Sequence, residues 1–233
     1  NYMGGNIALF PIEENGELKR ATAVINHNGK GNHPRQKTPH AHFADFGWSD
    51  TLLYATDLGL DQIYRYQIDA AHAGLLPFDT IFLSKTGSGP RHLAFHPVRK
   101  WLYVINELNG TIELFTQKNG RFFPENRVVV QDESPSVASA DIHISPDGQY
   151  LYATDRGPYN EIITFRINPD NGILEFVQRI STQGKTPRNF WIAPSGKWII
   201  VANQDSSNLA VFGREKNTGK LAFERSLSVP TPV

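Results

Sequence analysis

Apolar and polar positions alternate along this chain in short segments that recur at a nearly constant spacing. The most regular segments are LLYATD, WLYVIN, YLYATD and WIIVAN, whose third residues stand at positions 54, 103, 152 and 200. A fixed period of about 40–50 residues is typical of β-propellers and related repeat proteins. Each segment closes on a polar residue at the same spacing of 49, 49 and 48 positions: Asp57, Asn106, Asp155 and Asn203.

Alternation and turn residues divide each repeat into four short strands. In the copy that begins at Pro90, the predicted strands are HLAFH, WLYVIN, TIELFTQ and RFFPENRVVV. SPDG at 145–148 and APSG at 193–196 fill the first turn of later copies, where Pro presets one dihedral angle and Gly allows a positive φ. The third strands show no persistent 3.6-residue period, so the chain is predicted to be all-β.

Four-stranded units of this length favour a β-propeller, in which blades pack face to face. A β-sandwich is the alternative, but it does not explain the constant spacing. We predict a single β-propeller domain over residues 1–233, with a half blade at 1–26 and blades at 27–87, 88–136, 137–184 and 185–233. Because the half blade lacks its first two strands, we expect a longer native chain upstream of Asn1.

Composition narrows the possible functions. Lys plus Arg and Asp plus Glu both total 23, so the chain lacks the bulk positive charge that nonspecific nucleic-acid binding requires. The chain has no cysteine, which excludes disulfides, thiolate zinc sites and a cysteine nucleophile. No apolar run approaches the roughly 20 residues that span a bilayer, and no secretory leader is visible, so we expect a soluble, cytoplasmic protein without membrane contact.

Superposition of the repeats shows where the blades differ from one another. Because the first two strands of a blade are antiparallel, the start of one and the end of the next lie at the same edge of the sheet. We therefore expect the variable residues of both positions to converge on one rim. The start of the first strand carries His42, Arg91, Ala140 and Arg188, and the residue after the second strand is Leu58, Glu107, Arg156 or Gln204.

The predicted rim has the chemistry of an anion-binding site. Arginines provide planar, permanently charged donors that suit phosphate or carboxylate, while a carboxylate and an imidazole can transfer protons. The alternative interpretation is that Arg and Glu at neighbouring blades form ion pairs that only fix geometry. His40 and His42 share one face of an extended segment, but no third ligand has a persuasive spacing, so no metal is predicted.

Other conspicuous residues are given structural interpretations. We predict that Asp57, Asp61, Asp155 and Asn203 bind backbone amides at turns. His92, His96 and His143 are interpreted as packing or surface residues. The polar loop at 26–40 lacks a nucleotide-binding pattern. Large aromatic side chains are predicted to fill the core between blades: Trp101, Trp191, Trp198, Phe95, Phe165 and Phe190.

Several of these segments resemble the propeller-type 6-phosphogluconolactonase family, which also contains carboxy-cis,cis-muconate cyclases. The resemblance covers essentially the whole chain. Its most specific part is GPRH followed by NEL, in which Glu107 stands 16 positions after Arg91. The matching segments are PHAH at 39–42, TDLGLDQIYRY at 56–66, GSGPRHLAFHP at 87–97, YVINEL at 103–108, ATDRG at 153–157 and TPRNF at 186–190.

This resemblance implies a seven-bladed propeller and hydrolysis of the lactone ester of 6-phosphoglucono-1,5-lactone, a step of the pentose phosphate pathway. It implies no metal, no cofactor and a small anionic sugar lactone as the partner. The implied catalytic residues are His42, Arg91, Glu107 and Arg156, with Arg188 as the other candidate for the last role. His40, Arg188 and Gln204 are assigned to substrate binding.

Three functional hypotheses stay open at the level of sequence. A lactonase would depend on Arg91 and Glu107. A muconate-type cyclase or isomerase acting on dicarboxylates would use the same arginines. A non-catalytic propeller that binds a ligand or a protein would instead have rim residues paired to each other.

Overall fold

A computed structural model of the chain describes residues 1–83, 85–130 and 138–232. These residues form β-strands, turns and irregular segments, and no helix occurs among them. The predicted all-β fold is therefore confirmed. The strands are β1 (Asn6–Leu9), β2 (Ala23–Asn26), β3 (Ala41–Asp45), β4 (Leu52–Asp57), β5 (Gln62–Asp69), β6 (Gly74–Phe82), β7 (Pro90–Phe95), β8 (Trp101–Asn106), β9 (Thr111–Lys118), β10 (Arg121–Val129), β11 (Ser139–Ile144), β12 (Tyr150–Asp155), β13 (Glu161–Ile167), β14 (Leu174–Ser181), β15 (Pro187–Ile192), β16 (Trp198–Asn203), β17 (Asn208–Arg214) and β18 (Leu221–Ser228).

Consecutive strands pair to form four-stranded sheets in the order of the sequence. The sheets are β3 to β6, β7 to β10, β11 to β14 and β15 to β18, while β1 and β2 form a separate two-stranded pair. Each four-stranded sheet corresponds to one predicted repeat, as expected for propeller blades. The chain packs into two compact units, Asn1–Arg91 and His92–Val233, and the predicted single domain stays a prediction.

The core of the first unit lies between the β1–β2 pair and the sheet of β3 to β6. Ile7 of β1 packs there with Ala55 of β4 and Tyr66 of β5, all of them buried. The partly buried Leu9 and Ile25 extend this contact along the pair. The predicted half blade therefore buries one apolar face against the first complete sheet, although it has only two strands.

Among residues 92–130 and 138–232 of the second unit, two apolar clusters lie between neighbouring sheets. Trp101 and Phe165 belong to the cluster between the sheets of β7–β10 and β11–β14, and Phe190 belongs to the next cluster. The core prediction is wrong for Trp191 and Trp198, which are 52% and 44% exposed. Side chains alternate between the two faces of a strand, so Trp191 points away from the face on which Phe190 is buried.

Two buried tyrosines tie neighbouring sheets of the second unit together. The Tyr103 hydroxyl donates to the carbonyl of Gly172 at 2.7 Å, and the Tyr152 hydroxyl donates to the carbonyl of Gly219 at 2.8 Å. Each acceptor lies in the turn between the third and fourth strands of the following sheet. Both glycines have positive φ, 77° and 69°, which favours glycine over other residues. The same contact thus repeats from one sheet to the next.

Replacing Gly219 by Ala is expected to destabilise the protein by about 2–4 kcal/mol. The new methyl group would stand 2.2 Å from the ring of Tyr150, at a φ that L-residues rarely adopt. Gly120→Ala is the matched control, since its φ is +77° but, apart from Gly120 and its two chain neighbours, no residue has a heavy atom within 4 Å of the added carbon. We expect that control to cost only about 1 kcal/mol. If urea unfolding showed the same loss of stability for both variants, the predicted steric clash at Gly219 would be contradicted.

Candidate functional site

In three of the sheets, the start of the first strand pairs with the end of the second. The paired residues are Ala41 with Asp57, Ser139 with Asp155, and Pro187 with Asn203. The positions predicted from the superposed repeats flank these pairs. Each of these sheets therefore presents its two variable positions at one edge.

Glu107 and Arg156 meet within the second unit. Nη2 of Arg156 lies 2.9 Å from Oε2 of Glu107, and both side chains are largely buried. Nε of Arg156 donates to the carbonyl of Ala138 at 3.1 Å, which fixes the guanidinium plane. Among residues 1–83, 85–130 and 138–232, no acceptor forms a hydrogen bond with Nη2. The contact with Glu107 is thus an ion pair without hydrogen-bond geometry, and buried N–H donors stay available.

Arg188 and Gln204 also come together, on the sheet of β15 to β18. Nη1 of Arg188 donates to Oε1 of Gln204 over 3.5 Å, the outer limit of a hydrogen bond. Arg188 is only partly buried. Its guanidinium is therefore held less firmly than that of Arg156.

The other predicted residues lie in the first unit. Arg91 is almost fully buried, and its backbone carbonyl accepts a hydrogen bond from the hydroxyl of Thr56 at 2.8 Å. His40 and His42 lie beside Tyr2, a residue that the sequence did not single out. The Tyr2 ring stacks on His40 with centroids 4.4 Å apart and meets His42 edge-on at 5.4 Å.

A buried chain of hydrogen bonds supports this histidine segment. Oδ1 of Asp57 accepts the backbone N–H of His40 at 2.8 Å, and Oδ2 of Asp57 lies 2.6 Å from Nδ1 of His27. The other ring nitrogen of His27 lies 2.9 Å from the hydroxyl of Tyr66. His27 and Tyr66 were not predicted as site residues, because both contacts join segments 30 or more positions apart in the sequence.

Asp141 joins three of the first strands in the second unit. Its carboxylate accepts hydrogen bonds from His92 at 2.6 Å, from His143 at 3.0 Å and from the backbone N–H of Phe190 at 2.9 Å. Burial alone would raise the pKa of Asp141, but the hydrogen bonds and charges of His143 and His92 hold it well below the ordinary carboxyl value. His92 and His143 therefore have a more specific role than packing or surface exposure.

The predicted contacts of the strand-end acids with backbone amides are confirmed for Asp57, Asp61 and Asp155. Asp61 accepts from the backbone N–H groups of Gly87 and Gly89 at 2.6 and 2.8 Å. Asp155 accepts from Gly157 at 2.8 Å, and burial raises its pKa despite this bond. The prediction is wrong for Asn203, whose side-chain amide donates to the carbonyl of Thr182 at 2.9 Å.

One cavity of the second unit lies away from the predicted residues. Its volume is about 910 Å³, and its lining includes Pro146, Trp198 and Arg214 but none of the predicted site residues. Arg214 has its guanidinium bonded to Asp147 at 2.8 Å and to Tyr152 at 2.8 Å. The turns that line this cavity stand at the opposite edge of the sheets, so cavity size does not identify the predicted site.

Comparison with known proteins finds one family and several similar proteins. A family model described as "Lactonase, 7-bladed beta-propeller" matches residues 1–233. The chain is 37% identical over its whole length to a 6-phosphogluconolactonase of Bacillus subtilis, of which it covers 67%. It is 39% identical, over 95% of its length, to a 6-phosphogluconolactonase of Formosa agariphila, of which it covers 64%.

A solved structure of high similarity is the periplasmic gluconolactonase of Pseudomonas aeruginosa. The TM-score is 0.88 at 32% identity, and the match covers 97% of this chain and 64% of that one. The chain thus spans about two thirds of the length of these relatives. In the part of the chain that the structure describes, no helix has the length and apolarity needed to cross a membrane.

Proposed function

Because this chain belongs to the lactonase family of seven-bladed β-propellers, we propose that it hydrolyses 6-phosphoglucono-1,5-lactone to 6-phosphogluconate. The family match confirms the predicted family and agrees with the predicted enzyme class, a lactone hydrolase. The names of the Bacillus and Formosa relatives support the phosphorylated substrate. The observation that carries the proposal is Arg156, a largely buried guanidinium that is ion-paired with Glu107 yet keeps donors for an anionic oxygen.

In this proposal, Arg91, Arg156 and Arg188 bind the phosphate and polarise the lactone carbonyl. Charged donors directed at the carbonyl oxygen stabilise the negative charge that develops there during attack by water. The water oxygen bonds to the carbonyl carbon, the ring C–O bond breaks, and the released alkoxide takes up a proton. Glu107 and His42 form the acid–base pair, in which either group can take the proton of the attacking water. His40 and Gln204 contact the substrate.

A second candidate substrate is the unphosphorylated lactone. The Pseudomonas structure is that of a gluconolactonase, and this chain is 32% identical to it. The arginines would then bind the lactone without a phosphate partner, and kcat/KM would be no higher for the phosphorylated lactone.

A muconate-type cyclisation of a dicarboxylate would need the same arginine donors. A protein with that activity would leave lactone hydrolysis at its spontaneous rate.

The deciding experiment measures the conversion of three substrates by the full chain in parallel: hydrolysis of the two lactones and cyclisation of the muconate. The substrates are 6-phosphoglucono-1,5-lactone, glucono-1,5-lactone and carboxy-cis,cis-muconate, each corrected for the reaction without protein. We expect kcat/KM to be highest for the phosphorylated lactone. A chain that accelerates none of the three would be a non-catalytic propeller. The cytoplasmic location and the pathway stay predictions from the sequence.

Arg156 and Arg188 are expected to differ in which kinetic constant they control. Arg156→Gln should lower kcat by about 100-fold, since the rigidly held donor near Glu107 acts on developing charge. Arg188→Gln should raise KM with a smaller change in kcat, because its looser guanidinium contributes uniform binding. Steady-state kinetics of both variants separate the roles. The reverse pattern would make Arg188 the second catalytic arginine.

A further inference from the structure

Resting on the lactone hydrolysis proposed above, we propose that His40 takes the proton of the attacking water, with Nε2 as the accepting atom. This role goes beyond the substrate binding expected for His40 from the sequence. It also replaces the choice between Glu107 and His42 as proton acceptor. The inference follows from the hydrogen bonds that surround His40 in the first unit.

The partner of Nδ1 fixes the tautomer of His40. Nδ1 lies 3.1 Å from the backbone carbonyl oxygen of Tyr2. A carbonyl oxygen only accepts hydrogen bonds, so the proton of the neutral imidazole must lie on Nδ1. Nε2 therefore carries the lone pair, which is the state that a general base requires.

Nε2 of His40 is available to a ligand. Among residues 1–83, 85–130 and 138–232, the His40 side chain forms one hydrogen bond, through Nδ1. The ring is partly buried, and one of its faces is covered by the stacked ring of Tyr2 at 4.4 Å. Stacking and the Nδ1 bond together hold the imidazole in one orientation while Nε2 stays unbonded.

The backbone of His40 is held as firmly as its ring. Oδ1 of Asp57 accepts the His40 N–H, and Asp57 is in turn bound by His27, which bonds to the Tyr66 hydroxyl. Asp57 is fully buried and His27 nearly so. A general base must keep its accepting atom at a set position relative to the water, and a chain of buried hydrogen bonds provides that rigidity. Asp57 and His27 are therefore positioning residues.

The two competing groups have different contacts in this structure. Glu107 already faces Arg156 at 2.9 Å, so its charge serves to place and balance that guanidinium. His42 has its Nδ1 buried and packs edge-on against Tyr2. In His40, the contact of Nδ1 with the Tyr2 carbonyl identifies Nε2 as the accepting atom.

The proton and electron balance of the step is complete without a co-reactant. As the water oxygen bonds to the carbonyl carbon, one O–H bond breaks, and that proton goes to Nε2 of His40. The carbonyl π electrons move to the oxygen, which the arginine donors stabilise. When the carbonyl re-forms, the ring C–O bond breaks, and the imidazolium returns the proton to the leaving oxygen.

The test compares three His-to-Gln variants of the full chain over a range of pH. His40→Gln should lower kcat by about 100-fold, change KM less than about threefold and abolish the fall of kcat/KM at acidic pH. His42→Gln should keep that acidic fall. The control is His72→Gln, since His72 is an exposed residue bonded to Asp69, and it should behave as the wild type.

The outcomes separate this role from the proposed reaction. A wild type that does not exceed spontaneous hydrolysis would refute the reaction and, with it, the role of His40. An active wild type whose His40→Gln variant keeps the acidic fall would overturn the role of His40 alone. A raised KM with unchanged kcat would also overturn it, because His40 would then only bind substrate.

A second measurement does not depend on activity. Nitrogen-15 NMR of the histidine rings in the full chain should show the Nδ1–H tautomer for neutral His40, assigned by its loss in His40→Gln. An Nε2–H tautomer would overturn the inference even if the enzyme is active. Addition of the product 6-phosphogluconate should shift the Nε2 resonance of His40, and an unchanged resonance would likewise contradict the proposal.

Discussion

Replacing Glu107 by Gln is expected to lower kcat on 6-phosphoglucono-1,5-lactone by at least about 100-fold. Glutamine keeps the shape of the side chain but removes the charge that Arg156 faces at 2.9 Å in a buried setting. The guanidinium would then lose its balancing charge and its fixed position. In the proposed reaction the other arginines still bind the substrate, so we expect KM to change less than kcat.

The control for this substitution is Glu125→Gln. Glu125 also accepts a contact from a cation, Lys118 at 3.2 Å, but both side chains are exposed. Exposed ion pairs contribute little, so the control should retain wild-type kinetics and thermal stability. If Glu107→Gln kept kcat within about threefold of the wild type, Glu107 would have no role in turnover. Equal thermal unfolding of the two variants would confirm that any lost activity is not a folding defect.

Replacing Asp141 by Ala is expected to lower the free energy of unfolding by about 3–5 kcal/mol at neutral pH. The substitution leaves His92 and the backbone N–H of Phe190 without their acceptor in a region where Asp141 is only 1% exposed. Buried donors that lose their partner carry the full cost of desolvation. Asp170→Ala, at an exposed turn, should change stability by less than about 0.5 kcal/mol. Urea unfolding of both variants measures the difference.

The loss of unfolding free energy in the Asp141→Ala variant should also depend on pH. Hydrogen bonds and charges of the two histidines hold the folded-state pKa of Asp141 below the ordinary carboxyl value. Its contribution to stability is therefore complete above about pH 4 and disappears as the pH falls through and below that value. The unfolding curves of wild type and Asp141→Ala should converge in this range. If the difference in unfolding free energy between wild type and Asp141→Ala stayed constant down to pH 2, the charge of Asp141 would not contribute to stability.

The fold could be predicted from the sequence because each blade repeats the same pattern. The spacing of Tyr54, Tyr103 and Tyr152 marks the second strand of each sheet, and the turn glycines mark strand ends. Trp191 and Trp198 could not be placed by this means. Alternation shows that neighbouring residues point to opposite faces, but it does not show which face a second sheet covers.

Site residues could be predicted from the sequence only where they occupy equivalent positions in successive repeats. Superposed copies brought Glu107 and Arg156 to equivalent positions, and the two side chains do meet. Tyr2 and His27 were not predicted, because their contacts join residues that do not occupy equivalent positions of the repeats. Asp141 lies 49 positions after His92, one full repeat, so the bond between them could have been found by comparing polar residues at equivalent positions of the first strands.

The tyrosine contacts to Gly172 and Gly219 bear on how such a protein changes over evolutionary time. They recur from sheet to sheet and stand at the edge opposite to Glu107 and Arg156. Mutations at the edge of Glu107 and Arg156 therefore leave these two tyrosine contacts between neighbouring sheets in place. Residues at that edge can therefore change during evolution while these contacts between sheets persist.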